Sequence, residues 1–353
     1  MVKPIRCGNI TFAGGHPLVL IAGPCVIESR AMAFDLAARL AALATKENIP
    51  LVFKASYDKA NRTSVRAFRG PGLVAGLEIL AGIKEKYGLP ILVDVHQASE
   101  VGPAAEVADI LQLPAFLCRQ TDLVVALGES GRVVNIKKGQ FLAPWDIRHV
   151  IEKVESTGNR NILLTERGVS FGYNNLVADM RSLLIMRQFG YPVVFDATHS
   201  VQLPGGRAEG TGGDGKWAPY LSRAAVAAGC DGLFWETHRN PPEAMSDKDN
   251  ALPLGAIGPL WRQCRGIDEL ESGGGGGGGR PGAGDGGVGA AGGADGEGVP
   301  PAGVRCGRQA EAAALWRDGD LPAGWHHPAD GAEDRDFPQW RGDGADLFAG
   351  LRL

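Results

Sequence analysis

Along the first three quarters of the chain, apolar positions come in short unbroken blocks rather than alternating with polar ones. Eight such blocks stand out: LVLIAGPC, LVFKAS, ILVDVH, ILQLP, VVNIKKG, NILLTERG, VVFDATH and GLFWETH. Each runs into a polar cluster, and helix-like segments separate them. AMAFDLAARLAALATKEN and YLSRAAVAAGC carry apolar residues at roughly 3.6-residue spacing, with Gly and Pro marking the turns. Continuous Val, Ile and Leu runs alternating with helices are the pattern of parallel strands buried on both faces. Eight of these units in about 270 residues predict an α/β fold of the (β/α)₈ TIM-barrel type, whose usual size is about 250 residues. A doubly wound open sheet is the structural rival, but no Gly-rich dinucleotide fingerprint follows the first strand. Ahead of the barrel, IRCGNITF sets a Gly-Asn turn between short apolar stretches and predicts a small N-terminal hairpin.

The pattern stops near Ser272. Residues 273–279 are uninterrupted glycine, and RPGAGDGGVGAAGGADGEGVPPAG continues with almost nothing able to build a core. This predicts a catalytic barrel over residues 1–272 and a disordered Gly-rich tail over 273–353. Just before the tail, GAIGPLWRQCRGIDELE contains Gly255, Gly258 and Pro259, which predict a broken last helix and a weakened closure. After VQLPGG, the segment RAEGTGGDGKW (207–217) predicts a long flexible loop able to act as a lid.

Composition narrows the function classes. The 353 residues are 44% hydrophobic and 22% charged with a net charge of -4, so a sizeable core is expected and a nucleic-acid partner is not. The chain lacks the apolar run of a signal peptide, and no stretch approaches the roughly 18 apolar residues of a membrane span. A cytoplasmic protein with no membrane partner is the expectation. Six cysteines lie scattered without paired spacing, which points to reduced thiols or a metal ligand rather than a disulfide framework.

The block VVFDATHS raises the chemical question, because a buried strand runs straight into Asp196 and His199. In a (β/α)₈ barrel the carboxyl ends of the strands gather at one face, where the active site forms. Those ends supply Cys25, Lys54, Asp94, His96, Gln112, Lys137, Lys138, Glu166, Arg167, His199, Glu236 and His238. Polar or charged residues at all eight ends are more than barrel closure needs. Lys54, Lys59, Arg62, Arg119, Lys137 and Arg167 form a cationic group in a net acidic chain, which suits a substrate with several anionic groups. Cys25, His199, Glu236 and Asp247 mix thiolate, imidazole and carboxylate donors. Such a set can hold a divalent transition metal with an open position; a buried thiol beside paired charges is the plainer alternative.

Several segments resemble one family: LVLIAGPCVIESR, FKASYDKANRTS, RGPG, DVHQ, LQLPAFLCRQTDL, NIKKGQF, LTERGVSFGYNNLVADMRSL, FDATHSVQLPGG and ETHRNPPEAMSD. In unbroken order over residues 5–265, they are similar to 3-deoxy-D-manno-octulosonate 8-phosphate synthases. The resemblance implies a homotetrameric (β/α)₈ barrel that condenses phosphoenolpyruvate with D-arabinose 5-phosphate and water. It implies the metal-dependent subclass as well, because Cys25 follows AGP where metal-free members carry Asn. Cys25, His199, Glu236 and Asp247 would then bind a divalent ion (Zn, Mn, Fe or Co). Phosphoenolpyruvate falls on Lys54, Lys59, Gln112, Lys137 and Arg167. Arabinose 5-phosphate falls on Asn61, Arg62, Thr63 and Asp94, and Arg119 reaches a neighbouring subunit's sugar phosphate. His199, Lys54, Lys59 and Asp247 are the implied catalytic group. Two rivals stand beside this reading. One is the related synthase using erythrose 4-phosphate, whose sugar-phosphate motif is KPRTS where this chain has KANRTS; the other is an inactive barrel kept as a binding or assembly module.

Overall fold

All eight apolar blocks form strands with every residue buried, as expected for segments that meet apolar neighbours on both faces. The structure is a computed structural model that describes residues 2–62, 64–207 and 210–273. Strands β1 (Ile5–Cys7) and β2 (Ile10–Phe12) make the N-terminal antiparallel hairpin, with Gly8 at the turn in the left-handed region at φ 59°. The barrel then begins: β3 (Val19–Gly23), α1 (Arg30–Glu47), β4 (Leu51–Lys54), α2 (Leu73–Tyr87), β5 (Ile91–Asp94), α3 (Ala98–Val107), β6 (Ile110–Leu113) and α4 (Thr121–Glu129). Next come β7 (Val133–Lys137), α5 (Arg148–Glu155) and β8 (Ile162–Glu166). A two-residue-strand hairpin, β9 (Val169–Ser170) with β10 (Leu176–Val177), precedes α6 (Arg181–Arg187) and β11 (Val193–Asp196). A second hairpin, β12 (Gln202–Arg207) with β13 (Gly210–Gly213), leads to α7 (Ala218–Ala227) and β14 (Gly232–His238). The short β15 (Leu252–Pro253) extends the edge of β14 and is followed by α8 (Leu254–Gly273). Strands β3 to β8, β11 and β14 pair in parallel, and β14 pairs with both β11 and β3, so the sheet closes on itself.

The core has two parts, separated by strand alternation. Outward residues such as Leu20, Phe53, Val93, Leu233 and Trp235 pack against the helices. A second cluster joins Val19, Ile21, Val52, Leu92, Ile110, Val133, Leu163, Val194 and Phe234 to Ile5, Cys7, Ile10 and Phe12 of the hairpin. Many of these strand residues lie at the amino ends, so the hairpin plugs the amino-terminal mouth. Side chains two positions further along a strand share its face. Val52 is thus followed by Lys54, Leu92 by Asp94, Ile110 by Gln112, Val133 by Asn135 and Lys137, Leu163 by Thr165, Val194 by Asp196 and Phe234 by Glu236. The barrel interior changes from apolar to polar along its axis.

Two sequence expectations are corrected. Helix α8 runs unbroken through Pro259. The carbonyl that Pro259 leaves unbonded belongs to Gly255, and both residues face solvent, where water can satisfy it. Gly258 lies against Leu43 of α1, so a side chain there would crowd the helix contact. The inner face of α8 buries Ile257, Leu260, Trp261 and Cys264, with Trp261 edge-on to Trp235 at 6.4 Å. Of the segment expected to be a loose loop, Arg207 and Gly210–Gly213 belong to the β12–β13 pair, where antiparallel pairing gives the Gly-rich backbone partners, and Gly215–Trp217 forms a single 3-10 turn. Gly213 and Gly215 lie directly on Asn250 and Asp249, where a Cβ would overlap them. The expectation for 274–353, and the Thr63 assignment, lie outside the described residues.

Since α8 closes the barrel through Trp261, Trp261→Ala should cost about 3–5 kcal/mol in chemical denaturation. Leu270→Ala, on the exposed side of the same helix, should stay within about 0.5 kcal/mol.

Candidate active site

The polar end of the barrel opens into a cavity of about 550 Å³ at the carboxyl ends of the strands. Lys54, Lys59, Asn61, Arg62, Asp94, His96, Lys137, Arg167, His199 and Asp247 line it, together with Gln202 and Ser246. Most sequence-predicted residues are therefore brought together. Gln112 lies beneath the wall rather than in it. Its amide donates to Asp94 and accepts from Asn135 Nδ2 at 2.8 Å, and Asn135 in turn accepts from Thr165 Oγ1 at 2.7 Å. With Ser56 donating to Asp94, this polar chain crosses β5 to β8 and occupies both ends of Gln112. Lys138 and Glu166 also lie below the cavity, 3.5 Å apart, and burial lowers the Lys138 pKa. Glu166 Oε1 accepts the backbone N–H groups of Arg167 and Gly168 at 2.9 and 2.6 Å and so fixes the Arg167 backbone. His238 turns away, with Nδ1 against the Asn240 backbone. Arg119 is exposed and outside the cavity.

One set of ionic contacts explains why the strand VVFD can end in charge. Asp196 Oδ2 meets Lys137 Nζ at 2.6 Å and His199 Nδ1 at 2.7 Å, while Oδ1 accepts the His199 backbone N–H at 2.9 Å. Burial would raise the Asp196 pKa, but His199 and Lys137 outweigh it and hold the carboxyl well below its usual range. The Asp196 carboxylate only accepts, so His199 Nδ1 carries the hydrogen between them, and Nε2 points toward Glu236 Oε1, 3.4 Å away. Lys54 Nζ bonds Glu236 Oε1 at 2.9 Å and the Cys25 carbonyl at 3.1 Å. Lys59 stands 3.6 Å from Asp94. Burial alone would raise Asp94 as well; Lys54 and Lys59 outweigh it and keep the group ionised.

Cys25, Glu236 and Asp247 place ligand atoms within 4.8 Å of one another. Cys25 Sγ is 2.9 Å from Asp247 Oδ2, and Glu236 Oε2 is buried without a hydrogen-bond partner among the described residues. Burial, then Asp247 and Glu236, push the Cys25 thiol up, so without a cation it stays protonated. A thiol crowded by two carboxylates, one with an orphaned oxygen, fits a divalent ion. His199 is not within this tight group of three, and its Nε2 borders the group through Glu236. The cavity lining also holds unused donors: Arg62 Nη2 and Arg167 Nη1 are buried and have no hydrogen-bond partner among the described residues. Guanidinium donors left over on residues that line a cavity suit an oxyanion.

In the sequence, Asp196 falls at the site face without a ligand or catalytic role, and neither Gln202 nor Ser246 is singled out. Asp196 was detectable, two positions past the inward Val194. The other two sit beyond strand ends, where no periodicity marks them.

Fold and site together define a (β/α)₈-barrel enzyme with a cationic mouth beside a thiol–carboxylate group. Residues 3–267 match the model of the DAHP synthetase I family, and the chain belongs to that family. Relatives named 2-dehydro-3-deoxyphosphooctonate aldolase share 59% identity in Geotalea daltonii and 58% in Geobacter metallireducens, each over 270 residues. That alignment covers 76% of this chain and 99% of each relative.

The depressed Asp196 has a consequence for stability. A carboxyl whose folded pKa lies below its unfolded value of about 3.9 stabilises the fold above that value and stops doing so as pH falls toward the folded pKa. Asp196→Asn should therefore lower the melting temperature at about pH 5, and by progressively less as pH falls below about 4. A gap that stays constant down to pH 3 would contradict the assignment.

Proposed function

We propose that this enzyme condenses phosphoenolpyruvate with D-arabinose 5-phosphate and water, giving 3-deoxy-D-manno-octulosonate 8-phosphate and inorganic phosphate. The product is a 2-keto-3-deoxyoctonate phosphate, the compound in the names of the relatives above. The observation that carries the reading is the pair of unpartnered guanidinium donors, Arg62 and Arg167, lining one cavity with Lys59 and Lys137. Two phosphates and a carboxylate must be held in that space.

In the reaction, C3 of phosphoenolpyruvate bonds to the sugar aldehyde carbon, and the aldehyde oxygen takes a proton. Water adds at C2, the C2–O bond to phosphate breaks, and C2 becomes the ketone. Arg167, Lys137, Lys54 and Lys59 hold phosphoenolpyruvate, while Asn61, Arg62, Thr63 and Asp94 hold the sugar phosphate, so the reacting carbons meet in one orientation. Gln112 acts from below by fixing Asp94. Asp247 and His199 line the reacting space, where the aldehyde oxygen gains a proton and the attacking water loses one. Cys25, His199, Glu236 and Asp247 would hold a divalent ion (Zn, Mn, Fe or Co), which supplies Lewis acidity beside the aldehyde and water.

The catalytic domain is proposed to be residues 1–272, a span close to the full length of the aligned relatives. Buried thiols at Cys7, Cys25, Cys118 and Cys264, outside any disulfide, support a reducing, cytoplasmic setting. No helix among the described residues is long and apolar enough to cross a membrane. Exposed Phe116, Phe141, Trp145, Phe171 and Tyr173 support coverage by further copies in a homotetramer, with Arg119 reaching a neighbouring site. Sedimentation velocity should then find the tetramer mass, and a monomer would refute this assembly.

Phosphate release assayed with arabinose 5-phosphate and, separately, erythrose 4-phosphate tests the function. Turnover is expected with the first sugar alone, in the full chain and in a chain ending at Gly273. Turnover with erythrose 4-phosphate, or with neither sugar, would overturn it. Chelator should abolish activity, and Mn²⁺, Co²⁺ or Zn²⁺ should restore it. Cys25→Asn should lose most metal affinity, since a neutral amide replaces the thiolate. Full activity of metal-free wild-type protein in chelator would sink the metal assignment.

A further inference from the structure

Gln202, the first residue of β12, stands between two groups of opposite charge. Its Nε2 donates to Asp247 Oδ1 at 2.6 Å, and its Oε1 accepts from Arg167 Nη2. Chemistry fixes the orientation of this amide. A carboxylate only accepts and a guanidinium only donates, so a flipped amide would oppose both partners.

Each partner depends on being held. Asp247 has φ 48°, in the left-handed region that residues with a Cβ adopt against a steric penalty. Its carbonyl is fixed by the Asn250 and Ala251 N–H groups at 2.9 and 3.0 Å. At the carboxylate, Oδ2 faces Cys25 Sγ at 2.9 Å and Ser246 Oγ at 3.0 Å, and Oδ1 is held by Gln202. Arg167 Nη2 is occupied by Gln202 and by the His199 carbonyl at 3.3 Å. That arrangement leaves Nη1 without a hydrogen-bond partner among the described residues, on a side chain that lines the cavity. Without the amide between them, two desolvated opposite charges would pair directly, and each would be lost to its own ligand.

We propose that Gln202 is a positioning residue that holds Arg167 and Asp247 apart and aimed. One amide thereby sets the anion affinity of Arg167 and the cation affinity of the Cys25–Glu236–Asp247 group together. The anion half rests on the phosphoenolpyruvate reading above. Gln202→Leu keeps the approximate size and removes both hydrogen-bonding functions. Titration of the substrate-free protein with Co²⁺, followed by the thiolate-to-cobalt charge-transfer band, reads the metal group. Calorimetric titration with phosphoenolpyruvate alone reads Arg167. Both dissociation constants should rise about tenfold or more, the usual cost of losing a partner that orients a ligand, while that for arabinose 5-phosphate moves less than about twofold. Gln202→Asn keeps the amide on a shorter stem and should restore at most one of the two; it carries the test if the Leu variant melts early. A folded Gln202→Leu variant with either constant unchanged, or a folded Gln202→Asn variant with both unchanged, overturns the proposal. If wild-type protein binds Co²⁺ but not phosphoenolpyruvate, the substrate reading fails and takes the anion half with it. The Co²⁺ titration still decides the metal half.

Discussion

Opposite charges sharing one desolvated space are the constraint on which this barrel mouth depends. Lys54, Lys59, Lys137 and Arg167 stand there among Asp94, Asp196, Glu236 and Asp247. Removing even one such ion from water costs several kcal/mol after relaxation, so none of them could stand alone. The contacts at 2.6 Å between Lys137 and Asp196 and 2.9 Å between Lys54 and Glu236 are what make the burial tolerable. Neutralisation is shared unevenly: lysines are committed to carboxylates, whereas Arg62 and Arg167 keep donors in hand. Binding capacity resides in that unevenness.

The scaffold keeps this costly region apart from the part that holds the fold together. At the amino end the hairpin β1–β2 inserts Ile5, Ile10 and Phe12 among the first inward layer of strand residues, giving an apolar plug. At the carboxyl end the same strands, two residues later, present charge. Most of the apolar burial is thus gathered in the lower layers and in the helix contacts, and the upper layer carries the charged groups of the site, whose ion pairs offset their own burial. Closure by α8 belongs to the first of these, through Trp261 and Trp235.

Much of this was legible in the sequence, and the reasons differ by feature. The eight strands were visible because full burial on both faces writes an unbroken apolar run, and the GN turn marked the hairpin. The strand-end residues were visible because the topology brings them to one place whatever the loops do. Helix α8 was misjudged because Gly258 and Pro259 were read as local breakers. Whether they break a helix depends on what faces them, and here that is Leu43 on one side and solvent on the other. Gln112 was assigned to the wall because strand-end position does not show depth; two strand neighbours, Asp94 and Asn135, hold it below. Gln202 was invisible because its role lies in a charge pattern across β8, β12 and the loop before β15.

The balance of charge also bears on why a cation group and an anion group share one mouth. Around the cavity the four lysine and arginine groups named above are offset by four carboxylates, of which Asp94 and Asp247 line the wall and Asp196 and Glu236 do not, and Arg62 adds a further positive charge. Phosphoenolpyruvate and a sugar phosphate would bring several negative charges into that space. Arg62 and Arg167 can meet part of this with donors that have no other partner among the described residues. The carboxylates of Glu236 and Asp247 would oppose the remainder unless their own charge were matched by a cation held with Cys25. On electrostatic grounds, then, the thiol–carboxylate group and the guanidinium wall are complementary halves of one site: each makes the other's ligand easier to desolvate.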